Sequence, residues 1–411
     1  MKIASGVTSL AGAFMSGRGE SKAAAFIAGH RGLLDGIAES FRRTEGRKVV
    51  WIHAASLGEF AIARPIIEAM KRRESYDFVI TFFSPSGYEV VKKDSLRYPN
   101  VYYLPWDSPE NVRRFLDTVR PDAAVIMVSE FWHNFLRELK RRSIPVFLVS
   151  ALIRRESVFF KWYGGDYRKD LASFTRIFTL DDRSVGNLRE LGCTCAVKTG
   201  DPLFDNAYAI AQQPYHNEVI EKFAAGGRVF IAGSIDSEMD LKLTAALAER
   251  NPATKFIVVP HEVSDEEVEK IAGSFKGGAK RCSQCDAATD FGSTQCLIID
   301  FVGALASIYR YGTWAYVGGG FTPLLHSVIE AAVYGLPIAF GPQIHRKVTP
   351  RQLMQEGIGT MVTDCRQFTE WFEALRDDEQ ALAEIRRRSA GYIAQNVGST
   401  ETIVKTIEEY L

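Results

Sequence analysis

Val49-Val50-Trp51-Ile52-His53-Ala54-Ala55-Ser56-Leu57-Gly58-Glu59-Phe60 runs from a short β-rich segment through a turn of small residues into the start of a helix-period stretch. Gly58 lets the backbone turn tightly, and the acid that follows lies where helices begin. Strand, turn and helix together make half of a βαβ unit. The alternation continues, with further strand candidates at residues 78–82, 101–104, 124–128, 146–149, 177–180 and 196–198. It restarts at 229–232 and goes on through 256–259, 297–299, 314–317 and 338–340. Strands separated by helical stretches predict parallel sheets covered on both faces, so the expected class is α/β with two doubly wound sheets.

A chain of 411 residues with 46% hydrophobic composition exceeds what one core usually serves, which agrees with two domains. Gly200-Asp201-Pro202-Leu203-Phe204-Asp205 and the polar segment 212–217 separate the two series, which places the boundary near residue 210. The expected domains are 48–210 and 211–411, preceded by a segment 1–47. Residues 401–411 are placed, by fold analogy alone, as a helix able to cross back to the first domain.

Fifty Lys and Arg balance fifty Asp and Glu, which argues against the broad positive field of a nucleic-acid binder. Six cysteines in this length do not make a secreted disulfide framework and fit a reducing compartment. Cys282 and Cys285 have the spacing of half a zinc ribbon, but no second pair follows and no histidine lies within ligand spacing. A plain loop is the preferred reading, and no metal is expected. Residues 3–15 form a weakly apolar run shorter than the ~20 residues that span a bilayer. Beyond it Arg18, Lys22, Arg31, Arg42, Arg43, Arg47 and Lys48 interleave with Phe26, Leu33, Leu34, Ile37 and Phe41 at roughly helical spacing. Two readings stay open: an amphipathic helix on an anionic membrane surface, or a helix packed on its own domain.

Ligands of open parallel sheets bind outside the carboxyl ends of the strands, so the loops there carry the search for function. Glu59 is either a capping glutamate or a general base; a helix start favours its ionised form, and burial would raise its pKa towards a base's useful range. Ser84-Pro85-Ser86-Gly87 opens another helix, and its amides can receive an acceptor hydroxyl or simply start the helix. Glu130, in Ser129-Glu130-Phe131-Trp132, can bind sugar hydroxyls or make a structural ion pair. In the second half Gly318, Gly319 and Gly320 permit close backbone approach, and a helix expected around His326 would favour a phosphate. Glu330 is expected one turn after His326 on the same helix face, able to accept ribose hydroxyls. Ser234 and the Gly341-Pro342 turn complete a ring of small-residue loops suited to a nucleotide.

Taken in order, HAASLGEF (53–60), TFFSPSGYE (81–89), YLPWDSPENVRRFL (103–116), SEFWHNFL (129–136), VFFKWYGGDYR (158–168), GDPLFD (200–205), IAGS (231–234), VPHE (259–262), IIDFVGAL (298–305), YVGGG (316–320) and HSVIEAAVYGLPIAFGP (326–342) resemble the 3-deoxy-D-manno-octulosonic acid (Kdo) transferases, especially their Bacteroidetes-type branch. The resemblance runs from about residue 48 to 360 and rests on many motifs in the right order. It implies a GT-B glycosyltransferase, two Rossmann-like domains facing a cleft, that moves Kdo from CMP-Kdo to a lipid A precursor with inversion. It further implies no required metal or other cofactor, and a place on the cytoplasmic face of the inner membrane, peripheral or N-terminally anchored. By position it gives Glu59 the role of base and Glu130 the support of the donor sugar. Arg154 falls near the arginine that meets the Kdo carboxylate. Ser234, Pro260, His261, Gly318, Gly319, Gly320, His326 and Glu330 fall around CMP, and Ser84, Ser86 and Gly87 on the acceptor side. Two departures stand out: Leu203 where many members carry a cation, and Ser327 where many carry asparagine. Arg154, Arg155 and Lys161 are the cations left to compensate. The enzymatic alternative is another GT-B transferase or a non-hydrolysing sugar epimerase with a different donor; the non-enzymatic one is a membrane-bound scaffold.

Overall fold

The computed structural model describes residues 26–323, 325–344 and 347–411; residues 1–25, the first part of the segment read as membrane-associated, lie outside the described residues. The chain forms two compact units, one running to Asn206 and including Val397–Leu411, the other Ala207–Asn396. Each is built on its own seven-stranded sheet.

The first unit contains β1 (Lys48–His53), β2 (Tyr76–Phe82), β3 (Val101–Tyr103), β4 (Ala123–Met127), β5 (Val146–Ala151), β6 (Arg176–Thr179) and β7 (Ala196–Lys198). All pairings are parallel, in the order β3-β2-β1-β4-β5-β6-β7. Alternation along β1 sends Val49 and Trp51 into one core and Val50 and Ile52 into another, so helices must cover both faces. Helix Leu57–Lys71 fills the second core with Phe60, Ile66, Ile67 and Met70, beside Ile403, Val404 and Ile407 of the C-terminal helix Ser399–Glu408.

That C-terminal helix is fastened by Asp205. Its carboxylate accepts from the amides of Gly398 (2.5 Å) and Thr400 (2.8 Å) and from the hydroxyls of Ser399 (2.8 Å) and Thr400 (2.7 Å). Those amides are the orphan donors of a helix start, and a borrowed acid satisfies them. Leu203, in the same segment, packs against the core that receives the helix.

The segment read as amphipathic folds onto its own domain from residue 26 onward. Phe26 packs with Phe83 and Tyr103, while Ile37 and Phe41 are buried in the core beneath helix Leu33–Ser40. For the described part of the segment this apolar face packs internally, in line with the second of the two readings. Among the described residues no helix is long and apolar enough to cross a membrane.

The second unit contains β8 (Val229–Ile235), β9 (Lys255–Pro260), β10 (Ala279–Arg281), β11 (Cys296–Ile298), β12 (Trp314–Val317), β13 (Ile338–Phe340) and β14 (Gly359–Met361), parallel in the order β10-β11-β9-β8-β12-β13-β14. The outermost strands β10 and β14 are absent from the sequence expectation. Each is three residues long, and neither Ala279-Lys280-Arg281 nor Gly359-Thr360-Met361 carries a β-rich pattern; pairing to a formed neighbour makes them strands. In both units the strand order reverses beside the first strand, between β1 and β4 and between β8 and β12. That is where such sheets bind ligands.

Candidate active site

The two acids singled out in the sequence leave the first unit's switch point from its two sides, Glu59 after β1 and Glu130 after β4. Helix Leu57–Lys71 opens with Ser56 as N-cap, its hydroxyl accepting from the Glu59 amide at 3.4 Å. Glu59 Oε2 in turn accepts from the Ala55 amide at 2.6 Å. The capping role is therefore real, and it also fixes the carboxyl group at the sheet edge. Glu130 is aimed by strain: Val128, directly after β4, has φ 62°, a left-handed conformation rare for a β-branched residue. Conformations of this kind cost about 1–3 kcal/mol and gather at functional sites.

Glu130 Oε2 lies 4.0 Å from Nε2 of the fully buried His53. Trp132 Nε1 donates to that same nitrogen at 3.1 Å, while His53 Nδ1 meets Thr81 Oγ1 at 3.0 Å. Trp51 Nε1 also donates to Thr81 Oγ1, at 2.8 Å. These partners make Nε2 the unprotonated nitrogen of a neutral ring. Burial lowers the His53 pKa to about 3, against a smaller opposing effect of Thr81. His53 is thus a fixed neutral wall and supplies the acids with no positive charge. Burial raises Glu59 to about 8, with the Glu130 charge adding to it and the Ala55 hydrogen bond opposing. Burial raises Glu130 to about 7, opposed by the Trp132 hydrogen bond. Carboxyl groups raised towards neutrality in this way suit proton transfer.

On the same edge, Ser84 is the N-cap of helix Pro85–Lys92, and its amide donates to the Ala55 carbonyl at 2.7 Å, tying this loop to the one that carries Glu59. Gly87 is required by packing, since a Cβ there would stand 2.6 Å from the Phe82 ring and 3.0 Å from the Leu57 amide. The side chain of Ser86 lies outside what is described. Arg154, expected at a sugar carboxylate, is instead bonded through both terminal nitrogens to Asp181, at 3.2 and 2.6 Å. Its charge is already matched inside the fold.

In the second unit the loops after β8, β9 and β12 are locked together. Ser234 has φ 54° and interrupts the β8–β9 register, with Pro260 paired to Ile235 across the irregularity. The His261 amide then bonds the Ile235 carbonyl at 2.9 Å. Gly318 and Gly320 serve loop packing, since Cβ atoms there would lie 2.1 Å from the Ser234 carbonyl oxygen and 2.5 Å from the Gly341 amide. Gly319 supplies φ +81°.

Two expectations are corrected here. His326 precedes the helix, which spans only Ile329–Ala332, so His326 and Glu330 do not share a helical face and no helix start follows the glycines directly. The cause is the His326 amide, which bonds the Gly318 carbonyl at 3.2 Å and keeps the residue on the loop. Glu330 is half-buried, and its charge adds to burial in raising the hydroxyl pKa of Tyr309. Cys282 is buried in a short 3-10 turn, and Cys285 donates to the Arg281 carbonyl, as a structural loop would have it.

Sequence reasoning missed Asp240. This fully buried acid accepts from the Tyr316 hydroxyl at 2.5 Å, the Gly319 amide at 3.0 Å and the Asp236 amide at 3.2 Å, joining the β8 and β12 loops. The signal was available: Ser237-Glu238-Met239-Asp240 after a strand is a capping-box pattern.

Two units, each built on a doubly wound parallel sheet, have the architecture of the GT-B fold. The fold of the UDP-GlcNAc 2-epimerase from Neisseria meningitidis is similar, with TM-score 0.61 and 13% identity over 88% of this chain and 100% of that one. Residues 35–206 match the family described as 3-Deoxy-D-manno-octulosonic-acid transferase (kdotransferase). The chain is 27% identical to the 3-deoxy-D-manno-octulosonic acid transferase of Aquifex aeolicus over 78% of its own length and 83% of the relative's. It is also 27% identical to that of Bordetella pertussis, over 88% and 87%. Residues 35–206 thus carry the match to the Kdo transferase family model, and most of the chain is similar to curated Kdo transferases.

Proposed function

We propose that the protein transfers Kdo from CMP-Kdo to a lipid A precursor in lipopolysaccharide synthesis, inverting the anomeric centre. The observation that carries this reading is the acid pair Glu59 and Glu130, both held well above ordinary carboxylate pKa values at the β1/β4 switch point. An ionised Glu59 takes the proton of the attacking acceptor hydroxyl as its oxygen bonds to the anomeric carbon and CMP departs with the electrons of the broken bond. Glu130 sets the charge that Glu59 experiences and offers hydrogen bonds to the sugar. The locked loops at Ser234, His261, Gly318–Gly320 and His326 take the nucleotide, and Ser84 and Gly87 border the acceptor. Full-length protein with CMP-Kdo and a tetra-acylated precursor is expected to release CMP and yield a product heavier by whole Kdo residues in mass spectrometry. Thermal stabilisation by UDP but not CMP, with no such product, would overturn the reading.

The acceptor is a lipid, and we place the enzyme at the cytoplasmic face of the inner membrane as a peripheral protein. Trp162 and Tyr163 support this, being 92% and 60% exposed beside Lys161, since exposed aromatics next to basic residues suit a bilayer interface. Trp162→Ala together with Tyr163→Ala should lower co-sedimentation with anionic vesicles several-fold. Unchanged co-sedimentation would remove this surface from the account.

A further inference from the structure

We propose that Asp236, His261 and His326 form a binding site for a divalent transition-metal ion of the zinc class. Among the described residues this is the one group of three metal-ligating side chains whose donor atoms converge, all within 4.8 Å of one another. The Asp236 Oδ2 to His326 Nε2 distance is 3.7 Å, beyond a hydrogen bond. It is close to the edge of about 3.3 Å between two ligands of one tetrahedral ion with bonds of about 2.0–2.1 Å. His326 Nε2 is buried with no partner within hydrogen-bond distance, and the group it faces is the Asp236 carboxylate. The two imidazole rings lie 4.3 Å apart at 35°.

The backbone around these residues is rigid where a metal site needs it. Asp240 holds the Asp236 amide on one side and the Gly319 amide on the other. His261 is bonded to Ile235, and His326 to Gly318. Each ligand thus sits on a loop fixed by its neighbour, the supporting shell that sets ligand geometry. Two imidazoles and one carboxylate select zinc, cobalt, manganese or iron(II) over magnesium or calcium. Three protein ligands leave a position open, and His261, the exposed member, gives the ion a way in. The open position takes a phosphate oxygen of the nucleotide, a step that rests on the donor reading above. There the ion offsets the repulsion that Asp236 would otherwise exert on that phosphate. This role concerns donor affinity and leaves the bond-breaking chemistry to the first unit.

The test is titration of metal-stripped full-length protein with Zn²⁺ by calorimetry and with Co²⁺ by visible absorption, without substrate. The parent should bind one ion per chain, and Asp236→Asn and His326→Ala should each weaken binding at least about 100-fold, more than the loss of an outer-shell contact. Cys282→Ser should bind like the parent. Unweakened binding in the Asp236 and His326 variants, or none in a parent that melts cooperatively, overturns the site. CMP affinity is then measured with and without Zn²⁺, and a gain of about tenfold is expected, matched by an equal gain in Zn²⁺ affinity with CMP present. Zn²⁺ binding that obeys the variants with no CMP binding at all would leave the metal site standing and sink the donor reading.

Discussion

Replacing Glu59 with glutamine is expected to lower kcat for sugar transfer by at least about 100-fold, the scale of a lost general base, while raising the melting temperature at pH 8. The carboxamide oxygen can still accept from the Ala55 amide, so the helix start survives. The stability gain follows from the raised pKa. Between the ordinary carboxylate value of 4.5 and about 8 the folded protein keeps a proton that the unfolded chain has released. Stability contributed by this group is therefore complete at low pH and falls as pH rises through that window. Glutamine cannot ionise, so the variant escapes the loss; parent and variant should converge at pH 4 and diverge by pH 8. In the parent, kcat should climb through pH 7 to 8 as the pair ionises. A variant with near-parental turnover, or with no pH-dependent difference in melting, would return Glu59 to the role of cap alone.

Asp240→Ala should be the most destabilising single change in the second unit, at about 3–5 kcal/mol. Three donors lose an ionisable acceptor, each such bond being worth about 1.5–3 kcal/mol, and losses within one network do not add fully. The amides of Gly319 and Asp236 would be released together, so nucleotide affinity should fall with stability. Asp240→Asn, which keeps acceptor capacity on one oxygen, should recover part of both. Urea unfolding followed through the tryptophans of this unit, Trp314 and Trp371, measures the first, and CMP titration the second. An alanine variant within 1 kcal/mol of the parent would show that water or a neighbour replaces the carboxylate.

The α/β class and the central strands were legible because β1, β4, β8 and β12 are buried on both faces and read as continuous apolar runs. The edge strands β10 and β14 were not, since their neighbours and not their residues decide their state. Val128 looked like the end of a strand and is instead a left-handed turn, a conformation no propensity assigns to valine. Within the site, the acids could be found from motif order, but sequence could not show that Glu59 both caps its helix and is buried. Arg154 shows the opposite limit: its partner Asp181 is 27 residues away, and only folding reveals that ion pair. Asp236 and Asp240 escaped notice because the groups they meet, His326 for the first and Tyr316 and Gly319 for the second, are far away in sequence.

Ile403, Val404 and Ile407 lie fully inside the core of the first unit. Each such side chain contributes on the order of 1.5–3 kcal/mol through burial. A ribosome makes them only after the whole of residues 207–396. Chains usually fold domain by domain as they emerge, the N-terminal one first. Here the earlier domain must wait, its hydrophobic wall open, until the later one has been synthesised. The acid pair therefore gains its finished scaffold only once the second unit has been made.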